Sequence, residues 1–150
     1  MASMKLIAVL MVSLCLIAPL THATDVTYCT RKGYAVKVHG VEINPNPVIR
    51  GEEAKFSISA TTEAPLTGGK LIIEVSYFGI HIHTEEHDLC EETSCPVSSG
   101  DFVISHSQVL PIFTPPGSYK LKMRLKDGDL ELTCISFSFT ITYGSSVADS

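Results

Sequence analysis

Between Gly117 and Tyr143 apolar and polar residues alternate almost without a break. Tyr119, Leu121, Met123 and Leu125 take one side, and Lys120, Lys122, Arg124 and Lys126 the other. Successive side chains of a strand point to opposite faces, so this pattern predicts a strand with one face buried and one in water. Asp127-Gly128 suits a two-residue type I′ turn, which places Leu125 opposite Leu130, Met123 opposite Leu132, Arg124 opposite Glu131 and Lys126 opposite Asp129. Beyond Leu132 the phase changes: Ile135, Phe137, Phe139 and Ile141 now alternate with Ser136, Ser138, Thr140 and Thr142. Without an extra residue the apolar set would cross to the solvent face, so a β-bulge is predicted near Thr133 and Cys134.

The same reading divides the preceding chain. Tyr34 to Ile43 alternates with a phase change at Gly40, and Asn44-Pro45-Asn46-Pro47 ends it, because proline withholds the donor that a ladder needs. Arg50 to Glu53 reads as a turn. Ala54 to Thr62 carries Phe56, Ile58 and Ala60 on one face. Lys70 to His83 reads as one long strand whose apolar residues change face at Gly79. Glu85 to Cys95 reads as an acidic loop, and Asp101 to Pro111 as a further strand. No helical periodicity occurs after residue 23. Several strands separated by turn signals predict an all-β fold, an immunoglobulin-like sandwich of two antiparallel sheets.

Residues 1 to 23 stand apart. Lys5, the apolar run Leu6 to Ala18 and the small residue Ala23 read as a secretory signal peptide, leaving residues 24 to 150 as one domain. Cleavage there removes one cation and no acid, taking the net charge from −5 to −6. The acidic balance speaks against nucleic acid as a partner. A secreted protein, or one of the vacuolar or endolysosomal lumen, is expected, and a monomer. Besides Cys15 there remain Cys29, Cys90, Cys95 and Cys134, an even number that reads as two disulfides with three possible connectivities. Cys90 with Cys95 closes a short loop, where the sulfurs are always near each other, and Cys29 with Cys134 then ties the N-terminal segment to the long hairpin; this is the pairing expected.

Few residue patterns suggest catalysis. His81 and His83 share a strand face, with His87 shortly after, and the Phe78 to His83 stretch is similar to one in the copper-zinc superoxide dismutases. His39 and His106 do not fall at that family's ligand spacings, and its metal-binding loop is absent. Ser105 and His106 are adjacent, so on a strand they face opposite ways and cannot form a nucleophile–base pair. Neither an enzyme nor a cofactor or metal is expected. The Lys120 to Lys126 ladder reads as a solvated face.

The ordered set of Cys29, the Val38 to Pro45 stretch followed by Gly51, Gly79 to Ile82 before Cys90, Cys95-Pro96, Leu110-Pro111, and Tyr119 to Asp127 leading to Leu132-Thr133-Cys134 resembles the ML domain (MD-2-related lipid recognition) family. That family includes the Niemann-Pick type C sterol carriers and phosphatidylglycerol/phosphatidylinositol transfer proteins. The resemblance spans the chain after residue 23 and agrees with the cysteine pairing above. It implies a sterol or phospholipid held between the two sheets and transient contact with a membrane. Ile82, Ile112 and Pro115 then fall at the pocket mouth. Phe56, Tyr77, Ile80, Tyr119, Leu121, Met123, Leu125, Phe137 and Phe139 fall on inward-facing strands. The implied activity is transfer of lipid between membranes, with display of a lipid to an immune or other receptor as the alternative. Asn44 to Pro47 stands where animal sterol carriers have a further disulfide, and Leu125 where they have an aromatic residue.

Overall fold

A computed structural model describes residues 24–30 and 33–144; the signal-peptide reading of residues 1 to 23 lies outside them. Among the described residues, nine strands and one helical turn follow in order: β1 (Thr27–Tyr28), β2 (Val36–Asn44), β3 (Val48–Ile49), β4 (Glu53–Thr62), β5 (Lys70–Tyr77), β6 (Ile80–Asp88), α1 (Leu89–Glu92), β7 (Gly100–Val109), β8 (Gly117–Asp127) and β9 (Leu130–Thr142). They build a sandwich. The larger sheet runs β1-β9-β8-β5-β6, with β3 added in parallel to β9, and the smaller runs β2-β4-β7; all other pairings are antiparallel.

Alternation accounts for most of this. On β4, Ala54, Phe56, Ile58, Ala60 and Thr62 are buried and the residues between them are not. On β8, Tyr119, Leu121, Met123 and Leu125 are buried while the basic ladder faces outward. Glu74 stands opposite Lys122 and Glu131 opposite Lys126, so that ladder is partly neutralised across the sheet. The phase change at Gly40 is a bulge between Val38 and Gly40.

The β8–β9 hairpin forms with a different register from the one expected. Gly128 and Asp129 make the loop, Asp127 pairs with Leu130, and the irregularity falls after Lys126–Glu131, so that Leu132 is the extra residue. Gly128 takes φ of +61° while Asp129 stays at negative φ, the pattern of a II′ rather than a I′ turn. Met123 then faces Ile135, Leu125 faces Thr133, and Leu130 is left exposed at the tip. Packing of Ile135, Phe137, Phe139 and Ile141 against the second sheet sets the register, and the turn adapts to it.

Two further expectations are corrected. Lys70 to His83 is not one strand but the β5–β6 hairpin, turning at Phe78-Gly79 with φ of +52° and +76°. A phenylalanine at positive φ is rare, so Gly79 alone marks the site and reads as a change of face within one strand. The Glu85 to Cys95 segment is not a loop throughout: β6 extends to Asp88, whose side chain accepts from the Cys90 N–H at 2.8 Å and caps α1. One turn is too short to show a helical period.

One end of the sandwich is closed. Leu89 is fully buried, its N–H donates to the Gly69 carbonyl at 2.9 Å, and Leu66 and Val97 exchange both backbone hydrogen bonds. A Cβ on Gly69 would lie 3.2 Å from the Lys126 carbonyl oxygen and 3.3 Å from Leu125, so a larger residue would have to push this segment a few tenths of an ångström away from β8. Cys90 pairs with Cys95, and Cys29 with Cys134 at a sequence separation of 105. On the chain-entropy relation the long loop contributes roughly 4.8 kcal/mol and the short one roughly 2.2 kcal/mol. Urea unfolding is therefore expected to show about twice the loss of stability for the Cys29→Ala, Cys134→Ala double variant as for Cys90→Ala, Cys95→Ala. Equal losses would show that native packing, and not loop closure, sets the contributions.

Candidate functional site

Towards the other end the two sheets part. A cavity of about 340 Å³ lies between them, walled by Phe56 of β4, Ile73 and Val75 of β5, Tyr119 and Leu121 of β8, and Phe139 and Ile141 of β9. This is the lower part of the roughly 300–1,000 Å³ range of small-molecule pockets. Its lining is almost wholly apolar. Ile82, His83 and Glu85 of β6 face His106, Gln108 and Val109 of β7 along one side, and Leu110, Pro111 and Thr114 of the following loop complete it. β6 and β7 are edge strands of different sheets with no ladder between them. The cavity therefore reaches the surface where hydrogen bonding does not hold the two layers together.

An aromatic stack forms the floor. Tyr77 lies on Tyr119 with centroids 4.5 Å apart, Tyr119 on Phe139 at 5.7 Å, and Phe56 meets Phe139 edge-on at 5.6 Å. Both phenols are tied to the β7–β8 loop: Tyr119 donates to the Pro115 carbonyl at 2.6 Å and Tyr77 to that of Pro116 at 3.1 Å. Burial, and next the neighbouring Tyr77, raise the Tyr119 phenol above its ordinary value. It therefore remains a neutral donor across physiological pH.

The residues expected to contact lipid divide into three groups. Phe56, Ile82, Tyr119, Leu121 and Phe139 line the cavity. Tyr77 supports Tyr119, Phe137 lies 6.3 Å from Phe56, and Met123 and Leu125 lie further along β8 beside Ile73 and Leu71, towards the closed end. Ile80, Ile112 and Pro115 are on the outside. Ile80 was expected to face inward and is 67% exposed, because the turn at Phe78-Gly79 puts it at the start of an edge strand. Ile73, Val75, Val109 and Ile141 line the cavity although sequence reasoning did not single them out; Ile73 and Val75 stand opposite Met123 and Leu121, which it did.

Exposed apolar side chains gather round the mouth. Phe78 (82% exposed) and Ile80 occupy the β5–β6 turn, Ile112 and Phe113 (82%) the β7–β8 loop, and Ile82 and Val109 the edges between. The Tyr77 to Pro116 hydrogen bond joins the two loops, so these residues share one end of the molecule. Exposed apolar side chains gathered at one end in this way mark an interaction surface.

Tyr119→Phe removes the hydrogen bond to Pro115 and is expected to cost about 1 kcal/mol at pH 7. The folded state holds the Tyr119 proton more tightly than the unfolded chain does, so this residue's contribution is present below about pH 10 and lost as pH rises through the raised value. The gap between wild type and variant should thus narrow from pH 7 to pH 11 in urea unfolding. A gap that is the same at both pH values would contradict this.

Comparison with known proteins supports a single assignment. The ML domain family model matches residues 23–141. The MD-2-related lipid-recognition protein ROSY1 of Arabidopsis thaliana is 30% identical over 147 residues, covering 92% of this chain and 89% of that protein. A phosphatidylglycerol/phosphatidylinositol transfer protein of Debaryomyces hansenii is 33% identical over 67% of this chain, which spans about half (55%) of that relative. The Niemann-Pick type C2 protein from Japanese carpenter ant shares the fold, with a TM-score of 0.61 at 14% identity over 77% of this chain and 99% of its own. With the sandwich, the two disulfides and the inter-sheet cavity, these matches show that the chain belongs to the ML domain family, a family of non-enzymatic binding proteins.

Proposed function

We propose that this protein carries a glycerophospholipid, with an acyl chain in the cavity and the headgroup at the mouth, and moves it between membranes. The observation that carries this reading is the apolar cavity opening between β6 and β7 under a rim of exposed Phe78, Ile80, Ile112 and Phe113. Two relatives at 30% and 33% identity, named for lipid recognition and for phosphatidylglycerol/phosphatidylinositol transfer, support it.

The energetics suit a carrier. Each methylene withdrawn from water is stabilised by about 0.8 kcal/mol, and a bilayer interior offers nearly the same as the cavity. Exchange between the two is then close to balanced in free energy. The barrier lies in crossing water, and the rim removes it: Phe78 and Phe113 enter the bilayer surface, so that the chain slides from one apolar medium to the other. Contact is transient because the apolar area is small.

The N-terminal apolar segment and the two disulfides support passage through the secretory pathway, to the exterior or to a vacuolar or endolysosomal lumen.

Organic extraction of protein purified from its source, followed by mass spectrometry, is expected to release a phospholipid; a sterol would replace the ligand class, and no lipid would reject the reading. Ile82→Asp places a charge at the mouth on an exposed residue. It is expected to slow transfer of a fluorescent phospholipid between vesicles at least tenfold with the unfolding midpoint unchanged. Val75→Trp fills the cavity and should abolish binding at a cost of about 1–3 kcal/mol in stability. Undiminished transfer by both variants would place the lipid elsewhere.

A further inference from the structure

Beside the mouth, where sequence reasoning expected no metal, two imidazoles and two carboxylates converge from three elements. Glu85 and His87 are two apart on β6 and so share a face; Glu92 ends α1, and His106 comes from β7. Glu85 Oε2 lies 2.9 Å from His87 Nε2. Glu92 Oε1 lies 3.1 Å from His106 Nδ1 and 3.6 Å from His87 Nδ1. The two rings have centroids 4.8 Å apart. Glu85, His87 and His106 each offer one donor atom, all within 4.8 Å of one another.

We propose that Glu85, His87 and His106 form a binding site for a divalent transition-metal ion of the zinc class, with Glu92 orienting the imidazoles. Donors around a tetrahedral ion with bonds of about 2.0–2.1 Å stand roughly 3.3 Å apart, so the cluster needs only a small contraction to enclose one. The donor set selects the metal: imidazole with carboxylate suits zinc and its neighbours, whereas calcium and magnesium take oxygen alone. His106 is buried and Glu92 nearly so, which holds these side chains in place before any ion arrives. A carboxylate that accepts from the second ring nitrogen is the usual outer partner of a metal-bound histidine, and Glu92 has that position towards His106. Three protein donors leave a fourth coordination position. His81 and His83, the pair that the sequence made conspicuous, do not belong to the site: both are exposed, and His83 reaches Glu85 only at 3.6 Å.

The site has a structural consequence. β6 and β7 belong to different sheets, and Glu85 and His106 also line the cavity. An ion here clamps the two free edges together next to the opening, whatever the cavity carries.

Zinc titration by calorimetry into the full chain, stripped with chelator and dialysed, tests this. One equivalent is expected to bind with a dissociation constant of about 10 μM or tighter, unaffected by millimolar magnesium or calcium. His87→Ala and Glu85→Ala, both on the partly exposed strand β6, should weaken binding at least tenfold, and His81→Ala should not. His106→Ala should also weaken binding at least tenfold, and zinc should raise the melting temperature of wild type but not of His87→Ala. Absence of saturable one-to-one binding below 100 μM, or wild-type affinity in His87→Ala and Glu85→Ala, would overturn the assignment. Because the readout is metal binding and not transfer, its failure leaves the lipid reading untouched, and the converse holds.

Discussion

Everything in this molecule follows from one constraint: two sheets with apolar inner faces must touch at one end and stand apart at the other. A sandwich left to itself closes, since packing to the density of an organic crystal is what its inner faces favour. Here the closed end supplies the contact. Leu66, Leu71, Leu89, Val97 and Leu125 are buried there, and the short disulfide holds the segment that carries α1. With the layers fixed at that end, the strands diverge towards the β7–β8 loop. The gap there is bounded by aliphatic residues and a continuous aromatic stack that props the space open.

The free edges of β6 and β7 follow from the same division of strands. Neither edge has a neighbour across the cavity, and unpaired edges invite association with other chains. On β6 the remedy is charge, with three histidines, two glutamates and an aspartate in nine residues. Two of those six side chains, Glu85 and His87, turn inward beside His106 and Glu92, so residues that blunt the edge also bridge it. Polar cohesion along one side of the mouth and apolar exposure at its end are therefore separate properties of one hairpin: Phe78, Ile80 and Ile82 face the rim, while Glu85 and His87 hold the flank.

Most strands and their buried faces were legible in the chain because alternation is local, and the cysteine pairing was legible because closing the short Cys90 to Cys95 loop leaves Cys29 only Cys134. Alternation from Tyr119 to Leu125 reports the buried face directly, and the bulge at Gly40 is visible as a change of phase. Register was less legible. The β8–β9 loop is Gly128-Asp129, not Asp127-Gly128, because the four apolar residues of β9 dock on the opposite sheet and displace the extra residue to Leu132.

What the sequence by itself determined was the class of fold, the two disulfides and the family to which the chain belongs. Tertiary structure alone decided which inward residues meet empty space and which meet each other. Leu121 and Met123 are two apart on the same face of β8, and only the first lines the cavity. The difference lies in what each meets across the gap between the sheets, which no residue carries in its own side chain. Tertiary structure alone likewise brought His106 to His87, nineteen positions away and on the other sheet. Periodicity speaks of one strand's faces; a site between two sheets depends on how the faces are joined.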